Sequence, residues 1–211
     1  MKGIIFDLDG TMVDNMMVHH RAWQQKLKEL GLDLPLHQVM ERVHGVNEEI
    51  LERLFGEKFT PLERSRYSAE KEIEYRKIYK SEVKLIDGLR EFLDSLRERK
   101  IPLAIGSAAP PENVDFVLDN LNIRDFFKVV LHARDVKKGK PDPEIYLKVA
   151  AKLNLMPEEC LIFEDSPVGA EAATRAGSPL IIVTTTHTKS EFAKFPNVTR
   201  FISNYRDLNL F

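Results

Sequence analysis

Gly3-Ile4-Ile5-Phe6-Asp7-Leu8-Asp9-Gly10-Thr11 opens the chain with a short apolar run that ends in two aspartates one residue apart. Ile4 to Phe6 read as a buried strand, and Gly10 lets the chain turn sharply after it. In extended backbone, residues i and i+2 point to the same side, so Asp7 and Asp9 are expected to project together from the strand's carboxyl end. Two carboxylates that close repel unless a cation or a shared proton intervenes. The pair therefore asks for a divalent metal, with one carboxylate free to act as nucleophile and the other as acid/base. An acidic turn with no chemistry would use the same letters, so the rest of the chain has to decide.

Further apolar runs follow at Pro102–Gly106, Lys128–Leu131, Leu161–Phe163, Leu180–Val183 and, weakly, Thr199–Ile202. Amphipathic stretches lie between them. Leu89, Phe92, Leu93 and Leu96 share one helix face, as do Val114, Val117, Leu118 and Leu121. A third helix carries Ile145, Tyr146, Val149, Ala150 and Leu153, with Asp142 expected as its cap and Pro143 at its first position. A fourth is expected over 167–176, with Ser166 as cap, Pro167 first and Gly177 as terminator. Strands alternating with helices give an α/β fold with a doubly wound, Rossmann-like parallel sheet.

The interval after the first strand breaks that alternation. Asp14 is expected to cap a helix whose Met16, Trp23, Leu27 and Leu30 share a face, and further helices fit 36–43, 47–55 and 61–80. This predicts a core of residues 1–13 and 84–211 with a helical domain, 14–83, inserted into it.

In an open parallel sheet, ligands bind beyond the carboxyl ends of the strands. The second run is followed by Ser107 and Ala108, a hydroxyl and an amide suited to a phosphate oxygen at a helix start. The third leads to Lys140-Pro141-Asp142-Pro143, where Lys140 can neutralise a phosphoryl group and a carboxylate; Lys137 and Lys138 crowd nearby, but the prolines fix the chain beside Lys140. The fourth is followed by Glu164 and Asp165, a second acidic pair suited to a magnesium site of oxygen ligands. Phosphoryl transfer needs this combination, because a cation and a lysine offset the negative oxygens that shield phosphorus.

Asp-Leu-Asp-Gly-Thr (7–11), Ser107, Lys140-Pro141 and Glu164-Asp165 resemble, in order, the four signature motifs of the haloacid dehalogenase superfamily. The likeness is to its phosphatases and β-phosphoglucomutase-like enzymes and runs nearly end to end. It implies that Asp7 becomes a phosphoaspartate and Asp9 serves as general acid/base. It implies Mg²⁺ among Asp7, the Asp9 carbonyl and Asp165, with Glu164 beside it, and a helical cap that chooses substrates. Asp14, His19, Arg21, Ala22 and Trp23 resemble the mutase pattern, which would make His19 a hinge or proton-relay histidine. The cap segment Val43-His44-Gly45-Val46-Asn47-Glu48 departs from that pattern, with His44 where it has lysine and Glu48 where it has a phosphate-gripping arginine. Ala109-Pro110-Pro111 likewise replaces its Ser-Lys-Asn. Losing cationic anchors, each charge-assisted bond contributing roughly 1.5–3 kcal/mol, argues for a monophosphatase acting on a small phosphorylated metabolite such as a sugar phosphate. A β-phosphoglucomutase-type mutase and a receiver-like phosphate- or Mg²⁺-binding module stay as rivals. In the cap, His44, Gly45 and Glu48 are candidate substrate contacts.

Composition bounds the rest. The chain has 211 residues, 43% hydrophobic and 30% charged, with a net charge of −2, so nothing points to nucleic acid or an anionic membrane as partner. No apolar stretch approaches the roughly 18–20 residues that span a bilayer, and no signal segment opens the chain. The lone Cys160 cannot form an internal disulfide and reads as a small core residue in a cytoplasmic protein. Nothing demands more than a monomer.

Overall fold

The computed structural model describes residues 1–211 apart from His44, Asp207 and Phe211. In chain order it contains β1 (Gly3–Phe6), α1 (Met16–Glu29), α2 (Leu36–Arg42), α3 (Asn47–Phe55), α4 (Pro61–Tyr79), α5 (Leu89–Glu98), β2 (Leu103–Gly106), α6 (Pro111–Asn120), β3 (Phe127–Leu131), α7 (Glu144–Leu153), β4 (Cys160–Glu164), α8 (Pro167–Ala176), β5 (Leu180–Val183) and β6 (Val198–Ile202). Two compact units result: Met1–Asp14 with Val83–Phe211, and Asn15–Glu82.

The first unit is an α/β sheet of six strands in the order β3-β2-β1-β4-β5-β6, every pair parallel. Its central strands are buried on both faces, which is why they read as unbroken apolar runs. Ile5 and Ile162 pack with Ile145, Val149 and Ala173 from α7 and α8. Their neighbours Phe6 and Phe163 face the other way and stack at 4.9 Å, with Phe92 of α5 and Tyr205 against them. Cys160 is fully buried, and burial pushes its thiol up to about 11. It is a core residue.

One helix start differs from expectation. α1 begins at Met16 behind Asn15, not Asp14, and the Asn15 amide is committed to the Tyr75 hydroxyl at 2.6 Å. At α7 the Asp142 carboxylate accepts from the Glu144 amide at 3.0 Å, the cap bond expected of it, and Pro143 already has helical backbone angles (φ −73°, ψ −2°) ahead of Glu144–Leu153. Likewise α8 runs over Pro167–Ala176, with Ser166 Oγ accepting from the Gly169 amide and Gly177 closing it at φ +83°.

The helical unit has its own core of Trp23, Leu27, Val39, Ile50 and Leu51. Thr60 and Glu63 cap α4 reciprocally, each side chain taking the other's backbone amide. Lys71 lies buried inside this unit, 2.6 Å from Glu72 and 3.1 Å from His19 Nδ1. Among the described residues no helix is long and apolar enough to cross a membrane.

Candidate active site

Parallel strands all end on one side, so neighbouring strands deliver the residues after them to one place. β1 pairs with β4 (Phe6↔Phe163) and with β2 (Phe6↔Ile105). Asp7 thereby emerges beside Glu164, and the Asp7 amide donates to the Phe163 carbonyl at 3.0 Å.

The strand stops at Phe6, earlier than the alternation of Asp7 and Asp9 requires. The Leu8 carbonyl accepts from the amides of Thr11, Met12 and Val13, which folds residues 8–13 into a tight loop. Asp9 therefore sits in that loop rather than on an extended strand, half-buried and near enough for its charge to act on Asp7. Gly10 is needed here on two counts. Its φ is +74°, and a Cβ there would lie 2.1 Å from Asp165 Oδ2.

Lys140 Nζ joins the two strand ends, donating to Asp7 Oδ1 and to Glu164 Oε1, each at 2.6 Å. Its loop is braced from α7, where the Glu144 carboxylate accepts from the amides of Lys137 and Lys138 at 2.9 Å each. Lys137 and Lys138 serve that brace through their backbone, and Lys140 alone of the three carries its ammonium to the acidic centre. Glu164 is held from every side. Oε1 also accepts from the buried Tyr146 hydroxyl at 2.7 Å, and Oε2 accepts from the amides of Asp165 and Ser166. Gly169, in the first turn of α8, leaves the room this needs; a Cβ there would fall 1.8 Å from Glu164 Oε1.

One carboxylate oxygen each from Asp7, Glu164 and Asp165 lie within 4.8 Å of one another, all three residues buried. Burial above all, with Glu164 and Asp9 adding to it, pushes the Asp7 carboxyl up to about 8 against the pull of Lys140. Asp165 is raised well above the carboxylate range by burial and then by Glu164 and Asp7. Burial opposes the ammonium of Lys140, yet Asp7 and Glu164 hold its pKa well above the usual lysine value. Glu164 is also desolvated, but Lys140 keeps its carboxyl below the ordinary value. With all three carboxyls ionised, one ammonium would leave two negative charges uncompensated, and hard oxygen donors at this spacing suit a dication such as Mg²⁺ to hold them in that state. The donor set fits the ion.

Ser107 is buried after β2, its Oγ accepting from the Ala109 amide at 3.0 Å. Neither it nor the exposed Ala108 lies at a helix start, because α6 begins only at Pro111 behind Pro110. The adjoining prolines set that delay. A phosphate site here would use the loop amides and the hydroxyl rather than a helix N-terminus.

In the helical unit, His19 stacks on Tyr75 with ring centroids 3.9 Å apart. Burial, then Lys71, pushes its imidazole down to about 3, so the ring is neutral and Nδ1 accepts from Lys71. Gly45 is exposed at φ +91°, and Glu48 is half-buried in the first turn of α3. His44 lies outside the described residues.

Residues beyond the expected set also touch the centre. Tyr146 and the loop after β5 are among them: Thr185 donates to the Gly10 carbonyl, and Thr186 donates to Asp165. Their signal in the sequence is position, since Thr184-Thr185-Thr186-His187 directly succeeds the apolar run Leu180–Val183, as the acidic pairs succeed theirs.

The model of the haloacid dehalogenase-like hydrolase family matches residues 1–177. A phosphorylated carbohydrates phosphatase from Thermotoga maritima is 31% identical over 84% of this chain and 82% of its own length. The β-phosphoglucomutase of Bacillus subtilis is 33% identical over 84% and 80%. The chloroplastic 5-amino-6-(5-phospho-D-ribitylamino)uracil phosphatase of Arabidopsis thaliana is 29% identical over 99% of this chain, which spans 56% of that longer protein. Among solved structures, a family IA hydrolase of this class from Entamoeba histolytica superposes with a TM-score of 0.91 at 26% identity, covering 100% of this chain and 96% of that one.

Proposed function

The chain belongs to the haloacid dehalogenase-like hydrolase family, and from that premise we propose that it is a Mg²⁺-dependent phosphatase of small phosphorylated metabolites, sugar phosphates first among them. The observation that carries this reading is the Lys140 ammonium held 2.6 Å from both Asp7 and Glu164, with Asp165 in the same carboxylate cluster. The names of the Thermotoga and Arabidopsis relatives support the substrate class.

In this mechanism an Asp7 oxygen attacks phosphorus as the bond to the leaving alkoxide oxygen breaks, and Asp9 protonates that oxygen. Water then attacks the aspartyl phosphate while Asp9 takes its proton. The bond to Asp7 breaks and orthophosphate leaves. Lys140 enters the reaction charged, its proton held by Asp7 and Glu164, and Glu164 still faces it once Asp7 is phosphorylated, so it opposes the negative charge that gathers on the phosphoryl oxygens. Ser107 and the Ala108 amide would hold a phosphoryl oxygen. Asp7, the Asp9 carbonyl and Asp165, with Glu164 beside them, would hold Mg²⁺, which supplies charge neutralisation when bound. The helical unit is assigned the choice of substrate, through residues such as Glu48 and through His19.

The 33% identity to the Bacillus mutase favours a second reading, transfer between two positions of one sugar. Glu48 counts against it, because a carboxylate repels a second phosphate. Purified protein incubated with Mg²⁺, p-nitrophenyl phosphate and a panel of sugar phosphates separates the two. Free phosphate that disappears in Asp7→Asn supports hydrolysis. Interconversion of 1- and 6-phosphates without net release replaces it with the mutase, and turnover surviving Asp7→Asn removes the nucleophile assigned above.

A further inference from the structure

We infer that the loop after β5 is a clamp that positions the metal-binding carboxylate, with Thr186 as its working residue. This deepens the proposed function and rests on its acidic centre being a cation site. β5 lies beside β4 (Glu164↔Ile182), so the chain leaving Val183 passes next to Asp165. Two bonds and a further close approach then fasten it there. Thr185 Oγ1 donates to the Gly10 carbonyl, Thr186 Oγ1 donates to Asp165 Oδ2, and Thr186 Oγ1 also lies 3.1 Å from the Asp165 carbonyl. His187 Nδ1 stands 2.8 Å from Thr186 Oγ1 and 3.2 Å from the Asp165 carbonyl.

A hydroxyl has one proton to give and lone pairs to receive with. If His187 Nδ1–H donates to Thr186, the Thr186 proton is directed to Asp165, and the order His187 to Thr186 to Asp165 follows. Gly10 closes the other side of the same oxygen, since a Cβ on it would lie 2.1 Å from Asp165 Oδ2 and 3.2 Å from Thr186 Cγ2. Asp165 Oδ2 is thus pinned between a hydroxyl and the Gly10 backbone, and the carboxylate keeps one orientation. Thr185 ties the loop that follows Asp7 and carries Asp9 to the same segment. The clamp therefore fixes two acidic strand ends relative to each other, which neither strand does alone, because both groups lie beyond the last sheet residues. Desolvated carboxylates that repel would otherwise swing apart when no cation holds them.

The test is direct cation binding, with Mn²⁺ as probe read by electron paramagnetic resonance and Mg²⁺ read by competition, on wild type, Thr186→Val and Thr186→Ser. Valine keeps the shape and loses the hydroxyl. The expected result is a Kd raised about tenfold or more by valine and restored to within about twofold by serine, with unchanged Tm in EDTA. A Thr186→Val protein that binds Mn²⁺ like wild type overturns the clamp, as does a serine variant as weak as the valine one. Wild type that binds the ion yet releases no phosphate from any substrate leaves the clamp standing and overturns only the phosphatase reading. Wild type that binds no ion overturns both.

Discussion

Replacing Asp7 by Asn should destroy turnover and yet stabilise the cation-free protein. In the folded state the Asp7 carboxyl titrates near 8, whereas its ordinary value is 3.8. Between those values the folded chain keeps a proton that the unfolded chain releases. Stability in EDTA therefore falls as pH rises through that window, by about 1.4 kcal/mol per pH unit at most. At pH 7 this reaches a ceiling of about 4 kcal/mol. Asparagine has the same shape, no charge to desolvate and an amide oxygen for Lys140, which also keeps Glu164 at 2.6 Å. A gain of about 1–4 kcal/mol corresponds to several degrees of Tm in a chain of this size. Urea unfolding in EDTA from pH 5 to 8 reads it: wild type slopes downward with pH, and Asp7→Asn is flatter and higher at pH 7. Adding Mg²⁺ reverses the ranking or closes the gap, because wild type gains RT ln(1 + [Mg²⁺]/Kd) while the variant has lost a ligand. An Asp7→Asn protein no more stable than wild type in EDTA at pH 7 refutes the electrostatic account of the centre.

Asp9→Asn should lower kcat and kcat/KM together, because its proton transfers occur in the transition state; a rise in KM alone removes its acid/base role. Gly169→Ala places a methyl on the Glu164 carboxylate. It should cost about 1–3 kcal/mol, seen as a Tm drop of several degrees, with lost activity as Glu164 and Lys140 shift; an unchanged Tm shows that α8 can move aside. His19 titrates near 3 in the folded state, below its ordinary 6.5. The unfolded chain thus binds the extra proton, and this group withdraws about 2 kcal/mol of stability as pH falls from 7 to 5. His19→Phe should lose that part of the acid dependence in urea unfolding, and a variant with the wild-type slope places the ring in water.

How local each signal is decides whether it is legible in the letters. A central strand of a parallel sheet is desolvated on both faces, so Ile4 to Phe6, Leu103 to Ile105 and Leu161 to Phe163 announce themselves as apolar runs whatever surrounds them. The ends of α8 are equally local: Ser166 bonds within its own turn and Gly177 takes the left-handed turn that closes it. Starts that depend on distant partners are misplaced by sequence reasoning. Asn15 outranks Asp14 because Tyr75, sixty residues away, takes its amide. The start of α7 is legible for the opposite reason, since Asp142 bonds the Glu144 amide within its own turn. The aspartate pair reads as strand geometry although a loop builds it, and the reason is physical, since the Leu8 carbonyl gathers three amides that the letters do not advertise. The clamp after β5 is hidden for another reason. Threonine is a common loop residue, and only the adjacency of β4 and β5 gives Thr186 a carboxylate to hold.

The two glycines at the centre show what that arrangement costs the chain. Gly10 and Gly169 stand where any side chain would occupy the space of Asp165 and Glu164 respectively, and Gly10 also needs a backbone conformation other residues avoid. Glycine loses the most conformational freedom on folding, about 0.5–1 kcal/mol more than alanine inside a helix such as α8. Two of the carboxylates crowded here, Asp7 and Asp165, are themselves pushed toward protonation at neutral pH. Without the Glu164 carboxylate against it, the first turn of α8 would favour alanine over Gly169, and amides would relieve the crowded acids. A chain that keeps two such glycines in order to crowd three carboxylates around one ammonium is stabilising a bound state rather than the empty fold, which is the condition a cation and a phosphoryl group together would meet.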